Sequence, residues 1–268
     1  MLGGTTYIHR RKICILQDVY QRYPEDDIIF LDSDTFFISE TPGFMAKLES
    51  GYALMHEREY RIEEAPEIYR KYMSKRLENA ESYPLAFISQ IESKTFAVEG
   101  EQLSFSADQY VWNSGVLGLK KEILPYLNSI LSLSDEFYKE SGWFMSEQLG
   151  GGVLLQEKTQ IRESPAFSNH YHQSKHHVDP RINRLLDEKF VKMRLGEKLA
   201  CVRRFTINVN KLVILDSSSS ISIGAFKRNN LGKGFKFALK ALKSIPMHPM
   251  LYSYTKDRIA MIASNRGL

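Results

Sequence analysis

The feature that most constrains the fold is the stretch Asp27–Ser39, which has the sequence DIIFLDSDTFFIS. Its apolar run, Ile28 to Leu31, ends abruptly in Asp32-Ser33-Asp34. A short strand that is apolar on both faces is typical of a parallel sheet covered by helices on both sides. Residues two apart in an extended segment point the same way, so the two carboxylates can converge on one point. We therefore expect a buried strand that carries a pair of carboxylates at its carboxyl end.

Such a pair of carboxylates favours a metal ion. Two carboxylates held about 4 Å apart repel each other, and the repulsion is costly in a low-dielectric site. A divalent cation relieves it, and hard ions such as Mn²⁺ and Mg²⁺ prefer carboxylate and phosphate oxygens. The alternative, which the pattern leaves open, is a solvated turn in which Asp32 or Ser33 caps the following segment.

The rest of the chain alternates between helical and extended patterns. The strand is preceded by a helix in which Leu16, Val19, Tyr20 and Tyr23 recur at helical spacing. Further helices are predicted over 41–48 (Thr41 as N-cap and Pro42 in the first turn), 63–80, from near Lys120, 146–157, 180–200 and 232–245, and further strands over 52–57, 114–119 and 211–216, with a loop over 217–222. This alternation predicts an α/β sandwich with a mostly parallel sheet, in which ligands bind at the carboxyl ends of the strands.

Composition narrows the class of protein. Apolar residues make up 43% of the 268 residues and charged residues 25%, as in an ordinary globular chain. No apolar run approaches the roughly 20 residues of a membrane span. The two cysteines, Cys14 and Cys201, match no metal or redox spacing, which favours a reducing, cytoplasmic setting. The net charge of +4 mildly favours anionic partners, and no nucleic-acid-binding motif is present.

One family resemblance is confined to the opening motif. Ile28 to Thr35 resemble the signature of haloacid-dehalogenase-like phosphatases, four apolar residues followed by Asp-x-Asp-x-Thr, although the threonine here directly follows Asp34. In that reading Asp32 is the nucleophile and Asp34 the general acid. The family also needs a later Lys and a downstream pair of acids, whereas KLVILDSSSS offers one acid, Asp216.

A second resemblance extends over about two thirds of the chain. The stretches YIHRRKICILQDVYQRYPEDDIIFLDSDTFF, WNSGVLGL, WFMSEQ and NHYHQSK, which fall between Tyr7 and Lys175, resemble in order the motifs of GT-A type nucleotide-sugar glycosyltransferases. The nearest group is the retaining transferases related to glycogenin and the bacterial galactosyltransferases. The resemblance implies a GT-A sandwich and a transfer of sugar from a nucleotide-diphosphate donor to a glycan or lipid-linked acceptor.

The resemblance also implies a ligand set for the metal. Asp32 and Asp34 would bind Mn²⁺ or Mg²⁺, which neutralises the charge that develops on the departing nucleotide diphosphate. His170 matches the family's late metal-binding histidine, and His172 is its competitor two residues on.

Further site residues follow from the same resemblance. Glu147 and Gln148 would lie beside the reacting sugar, where a carboxylate can steady positive charge or hold an acceptor hydroxyl. The remaining candidates bind substrate. The turn of Asn113, Ser114 and Gly115 is expected to bind sugar hydroxyls. The basic side chains of Lys175 and Arg10, with Arg11 as an alternative to Arg10, are expected to bind donor phosphate.

The front of the chain departs from this family. A GT-A domain begins with strand–helix units that bind the nucleotide base, and each such unit takes 30 or more residues. We expect residues 1–215 to form a GT-A-like catalytic domain without those first units, which leaves a catalytically inactive relative as a further alternative.

We expect residues 216–268 to form a basic helical tail, which contacts either the domain or the anionic inner face of a membrane.

Overall fold

The structure is a computed structural model that describes residues 7–73, 77–246 and 248–265. It divides into two compact units. The first comprises Met1–Thr35 and Ser39–His170, and the second comprises Phe36–Ile38 and Tyr171–Leu268. The predicted boundary between residues 215 and 216 falls inside a long helix of the second unit.

Helices and strands alternate through the first unit, whereas the second is almost entirely helical. The helices are α1 Arg10–Arg22, α2 Thr41–Glu49, α3 Ala65–Tyr72, α4 Ser82–Ser93, α5 Leu127–Ser141, α6 Ser146–Lys158, α7 Lys175–Leu185, α8 Glu188–Lys192, α9 Leu195–Lys227, α10 Leu231–Ser244 and α11 Pro249–Asn265. The strands are β1 Ile28–Leu31, β2 Thr35–Phe37, β3 Tyr52–Met55, β4 Arg58–Arg61, β5 Phe96–Val98, β6 Glu101–Leu103, β7 Tyr110–Trp112, β8 Val116–Leu119, β9 Gln160–Glu163 and β10 Ser168–His170.

The main sheet has the strand order β1-β8-β3-β9. Strand β8 pairs antiparallel with both β1 and β3, and β3 pairs parallel with β9. The α/β class is therefore confirmed, and the sheet is mixed, because β1, β3 and β9 share a direction and β8 runs against them. Strand β1 is the edge of this sheet, and Ile29 is 39% exposed, so burial on both faces was wrong at that position.

The core of the first unit is rich in aromatic side chains. Trp143, Phe87 and Phe137 are fully buried, and their rings meet edge to face. Helix α6 packs closely on α5, since a Cβ at Gly150 would lie 3.0 Å from the backbone nitrogen of Ser134. The glycine run that disfavours a helix thus permits this contact, and the helix predicted over 146–157 is confirmed.

The second unit corrects two predictions. The strand expected over 211–216 and the loop expected over 217–222 both lie inside α9, a helix of 33 residues. Ser218, Ser219 and Ser222 of the expected loop are buried, and two of their hydroxyls have tertiary partners: Ser222 donates to the Gly234 carbonyl, and Arg258 donates to Ser219 and Ser222. Because these hydroxyls bond across helices, the serine run forms no loop.

Other boundaries differ from the prediction. The helix over 180–200 is divided among α7, α8 and α9, and the helix expected near Lys120 begins at Leu127 after a 3₁₀ turn. Helix α3 lies within the range 63–80 that was predicted as one helix, and residues 74–76 of that range lie outside the described residues. Thr41 is the first residue of α2, with Glu40 as its N-cap. Among the described residues, no helix is long and apolar enough to cross a membrane.

Candidate metal and substrate site

The site lies at one edge of the main sheet, where the carboxyl end of β1 meets the start of β8. This meeting follows from the antiparallel pairing, which places Leu31 opposite Val116. The Asp32 N–H donates to the Gly115 carbonyl at 2.9 Å, and the Thr35 hydroxyl donates to the same oxygen at 3.1 Å. The carboxylate turn after β1 is thereby fixed to the Asn-Ser-Gly turn before β8.

Two carboxylates and one imidazole converge at this edge. Asp32, Asp34 and His170 each offer one ligand atom, and these atoms lie within 4.8 Å of one another. The His170 Nε2 atom lies 3.2 Å from Asp34 Oδ1 and 3.9 Å from Asp32 Oδ2. Asp34 is only 8% exposed, so this is a partly desolvated cluster and not an open acidic surface.

The hydrogen bonds of Asn113 fix the tautomer of His170. The Asn113 Oδ1 atom accepts from the Gly115 N–H at 3.0 Å and lies 2.9 Å from His170 Nδ1. An amide oxygen can only accept, so the His170 Nδ1–H donates to Asn113 Oδ1. The lone pair of the neutral ring is then on Nε2. The lone pair therefore belongs to the nitrogen nearer the two aspartates, as outer-shell partners arrange it for metal-binding histidines.

Gly115 is required for this arrangement. A Cβ at this position would lie 2.1 Å from His170 Nδ1 and 2.6 Å from Cγ, which no side chain can occupy without displacing the ring. The absence of a side chain at Gly115 therefore leaves the space that the His170 ring occupies.

A buried ionic network adjoins the cluster. Lys12 Nζ donates to the Ser114 hydroxyl and carbonyl, both at 2.9 Å, and lies 3.3 Å from Asp32 Oδ1 and 3.7 Å from Glu147 Oε1. The Ser114 hydroxyl in turn donates to Glu147 Oε2 at 3.4 Å. One ammonium group thus joins the carboxylate of the metal cluster to a second, deeper carboxylate.

Two carboxylates at the site have raised pKa values, that of the buried Glu147 and that of Glu59, which is at an exposed position of β4. Desolvation raises the pKa of Glu147 to about 6, and the neighbouring Lys12 opposes that rise. Desolvation also raises the pKa of Glu59, which accepts from Asn113 Nδ2 at 3.2 Å and from Gln148 Nε2 at 3.4 Å. Glu59 therefore links the residues that hold His170 to the predicted Glu147-Gln148 pair.

The donor set fits a divalent ion. Atoms that bind one ion at about 2.1 Å lie within roughly 4.2 Å of each other, and both His170–aspartate distances satisfy this limit. Two carboxylates with one imidazole are acceptable to Mn²⁺, whereas Mg²⁺ prefers oxygen ligands throughout.

The basic residues are placed differently from the expectation. Arg10 donates to Asp135 at 2.7 and 3.0 Å and to the Cys14 sulfur, so its guanidinium is already engaged. Successive residues of a helix are turned by about 100°, so Arg10 and Lys12 point to opposite sides of α1, and it is Lys12 that faces the aspartates. Arg11 is exposed.

The late basic residues and His172 belong to the second unit. Lys175 is the exposed first residue of α7, and His172 is exposed in a 3₁₀ turn.

Sequence reasoning missed Lys12 and Glu59. The signal for Lys12 was its position as the third basic residue of HRRK, two residues after Arg10. Glu59 lies in β4, four residues after the buried strand β3, and nothing in its local pattern sets it apart from other charged positions.

A second cluster of metal-ligating type lies within the second unit. His176, His177 and Asp216 offer ligand atoms within 4.8 Å of one another. Asp216 is buried and accepts from the hydroxyls of Ser174 and Tyr254. Desolvation lowers the pKa of His177, although Asp216 opposes this change.

Comparisons of the chain with protein-family models, with curated proteins and with solved structures found no match.

Proposed function

We propose that the protein is a metal-dependent glycosyltransferase of GT-A type, which moves a sugar from a nucleotide-diphosphate donor to a glycan or lipid-linked acceptor. The observation that carries the proposal is the convergence of Asp32, Asp34 and the Nε2 atom of His170 at the end of β1. His170 lies 138 positions after Asp32 and 136 positions after Asp34. One sheet edge and the hydrogen bond between His170 and Asn113 nevertheless bring the three residues together.

The metal would be held by the two aspartates and His170. When bound, Mn²⁺ or Mg²⁺ supplies the positive charge that a nucleotide diphosphate needs in order to depart. Asn113 keeps the His170 lone pair on Nε2, and Lys12 offsets the charge of Asp32.

Glu147 and Gln148 are the proposed residues of the transfer step. Glu147 is 4% exposed, and its carboxylate adjoins both Lys12 and Ser114. In this position it can accept a hydrogen bond from a sugar or acceptor hydroxyl, or stabilise positive charge on the reacting sugar. The Ser114 hydroxyl accepts from Lys12 and donates to Glu147, and its second lone pair can accept from a sugar hydroxyl.

Direct metal binding tests the proposal. We expect Asp34→Asn to weaken Mn²⁺ binding by roughly tenfold or more, because it removes one charged ligand of three. Gly115→Ala keeps every ligand but displaces the His170 ring, and should weaken binding to a similar degree. The measurement is titration of free Mn²⁺ by electron paramagnetic resonance.

The matched control is Asp216→Asn, which neutralises the buried aspartate of the second cluster. It should leave Mn²⁺ affinity unchanged. Equal Mn²⁺ affinity in wild type and Asp34→Asn, or a loss confined to Asp216→Asn, would remove the proposed metal site.

A thermal-shift titration then separates the candidate reactions. A ligand that binds the native protein raises its melting temperature by mass action. A transferase should respond to one of UDP, GDP or CMP, only with Mn²⁺ present, and Asp34→Asn should abolish the response. A shift with beryllofluoride and Mg²⁺ would instead support the phosphatase function that the resemblance of Ile28 to Thr35 suggests. A cooperative melt that responds to none of these ligands would support an inactive relative.

A further inference from the structure

The second unit contains an open groove that the proposed reaction does not use. Its volume is about 620 Å³, within the range of small-molecule sites. Helices α7 and α9 and the segment between α10 and α11 form its walls, and the described residues that line it all belong to the second unit.

The floor of the groove is apolar. Val209 and Leu212 are buried at 2% and 3% exposure, and Phe205, Leu185 and Ile245 line the groove beside them while only partly buried. This surface suits a hydrocarbon group, which gains free energy when it leaves water.

The rim is cationic. Arg181, Arg184 and Lys211 line the groove, and none of its described lining residues is an aspartate or glutamate. Across the described residues, no carboxylate lies within the 4.0 Å ion-pair distance of these three side chains. Arg181 and Arg184 each donate to one backbone carbonyl, of His177 and Pro180, which leaves most of the five N–H donors of each guanidinium for a ligand.

The charge of the whole unit agrees with that of the rim. Residues 171–268 contain 19 Lys and Arg residues against six Asp and Glu residues, a formal net charge of +13. Such a field raises the local concentration of anions and accelerates their association.

We propose that this groove binds a lipid phosphate, that is, a hydrocarbon chain with a terminal phosphate or diphosphate. The guanidinium and ammonium groups of the rim match phosphate oxygens, and the apolar floor matches the chain. The inference concerns binding alone, so its test does not depend on the metal site or on the proposed transfer.

The test compares three probes by isothermal titration calorimetry: decyl phosphate below its micellar concentration, inorganic phosphate, and decanol. We expect decyl phosphate to bind at least roughly tenfold more tightly than either of the others, because only it uses both rim and floor. The variant Arg184→Glu/Lys211→Glu should weaken decyl phosphate binding by roughly tenfold or more. Both positions are exposed, so the variant should fold, which circular dichroism checks.

The matched control is Lys189→Glu/Lys256→Glu, which changes two exposed cations of the same unit that do not line the groove. It carries the same change of net charge and should alter affinity less than twofold. Equal losses in the two double variants would show that only the overall charge matters and would overturn the proposal. Inorganic phosphate that binds as tightly as decyl phosphate would overturn it too, since the floor would then contribute nothing.

Two further probes distinguish other anionic partners. Anionic vesicles that bind the wild type, while decyl phosphate does not, would replace the groove with a membrane surface. A 20-nucleotide single strand that binds with the same dependence on Arg184 and Lys211, again without decyl phosphate binding, would replace the lipid phosphate with nucleic acid.

Discussion

At the scale of residues, the sequence contains the carboxylate pair but not its surroundings. Asp32 and Asp34 are found from sequence because an apolar strand ends directly in two acids, but the expected extended geometry was wrong, since both lie in a turn in which the Thr35 N–H donates to the Asp32 carbonyl. Their approach to Lys12 depends on the rotation of α1 above the sheet, and Arg10, which the same stretch offered, faces Asp135. The orientation of His170 depends on Asn113, 57 residues earlier, which no local pattern indicates.

Glu147 gives a prediction at this scale. Its pKa is raised from 4.5 to about 6 by burial. A carboxyl group whose pKa is raised on folding contributes stability that is fully present below the unfolded pKa and is lost as the pH rises through the folded pKa. The wild type should therefore lose about 2 kcal/mol of unfolding free energy between pH 4.5 and pH 7 that Glu147→Gln does not lose.

Urea unfolding in EDTA, followed by tryptophan fluorescence, measures this difference. Both tryptophans, Trp112 and Trp143, belong to the first unit and report on its unfolding. Glu78→Gln, at an exposed position, serves as the control and should keep the pH dependence of the wild type. Parallel pH profiles for wild type and Glu147→Gln would contradict the prediction.

At the scale of elements, long-range contacts decide what short windows misjudge. The window 211–216 is apolar enough for a strand, but its buried apolar residues Leu212 and Leu215 continue, with Val209 before them, the helical spacing of α9. Strand β8 shows the same limit, since its apolar pattern predicts a strand but says nothing of its direction in the sheet. Element type was accessible at β1 and α1, where the pattern is periodic or bounded by breakers, and α6 was predicted in spite of its internal glycine run.

Helix α10 carries a prediction of its own. It is the basic amphipathic helix expected in the tail, and Phe235, Leu239 and Leu242 are 55%, 56% and 49% exposed along one side of it. Exposed apolar residues interleaved with lysines suit an anionic membrane surface. We expect Phe235→Ser/Leu239→Ser/Leu242→Ser to reduce binding to vesicles with 30% phosphatidylglycerol by roughly tenfold or more in co-sedimentation.

The same triple variant should leave decyl phosphate binding unchanged, because α10 contributes to the described groove lining only through Ser244. Undiminished vesicle binding by a folded triple variant would assign the exposed residues no membrane role.

At the scale of the whole molecule, the net charge of +4 conceals a division. Residues 1–170 contain 26 Asp and Glu residues against 17 Lys and Arg residues, a formal net charge of −9, whereas residues 171–268 carry +13. The acidic part contains the carboxylate cluster and the basic part contains the cationic groove. This asymmetry is visible in the sequence, but only if the charge is counted separately for each part, which requires a boundary near residue 170.

The division predicts that salt affects the two kinds of binding differently. Raising NaCl from 50 to 500 mM shortens the Debye length from roughly 14 Å to roughly 4 Å, so attraction between exposed charges is largely screened. Binding to anionic vesicles, which draws on the exposed cations of residues 171–268, should fall by roughly tenfold or more. Mn²⁺ affinity should change less, because Asp34 and His170 are at most partly exposed and such groups are screened less than surface charges. Co-sedimentation and Mn²⁺ titration on one preparation, with vesicles of neutral phosphatidylcholine as the control, measure both effects. Vesicle binding that is independent of salt, or equal for neutral and anionic lipid, would mean that apolar contact and not charge governs the association of the second unit.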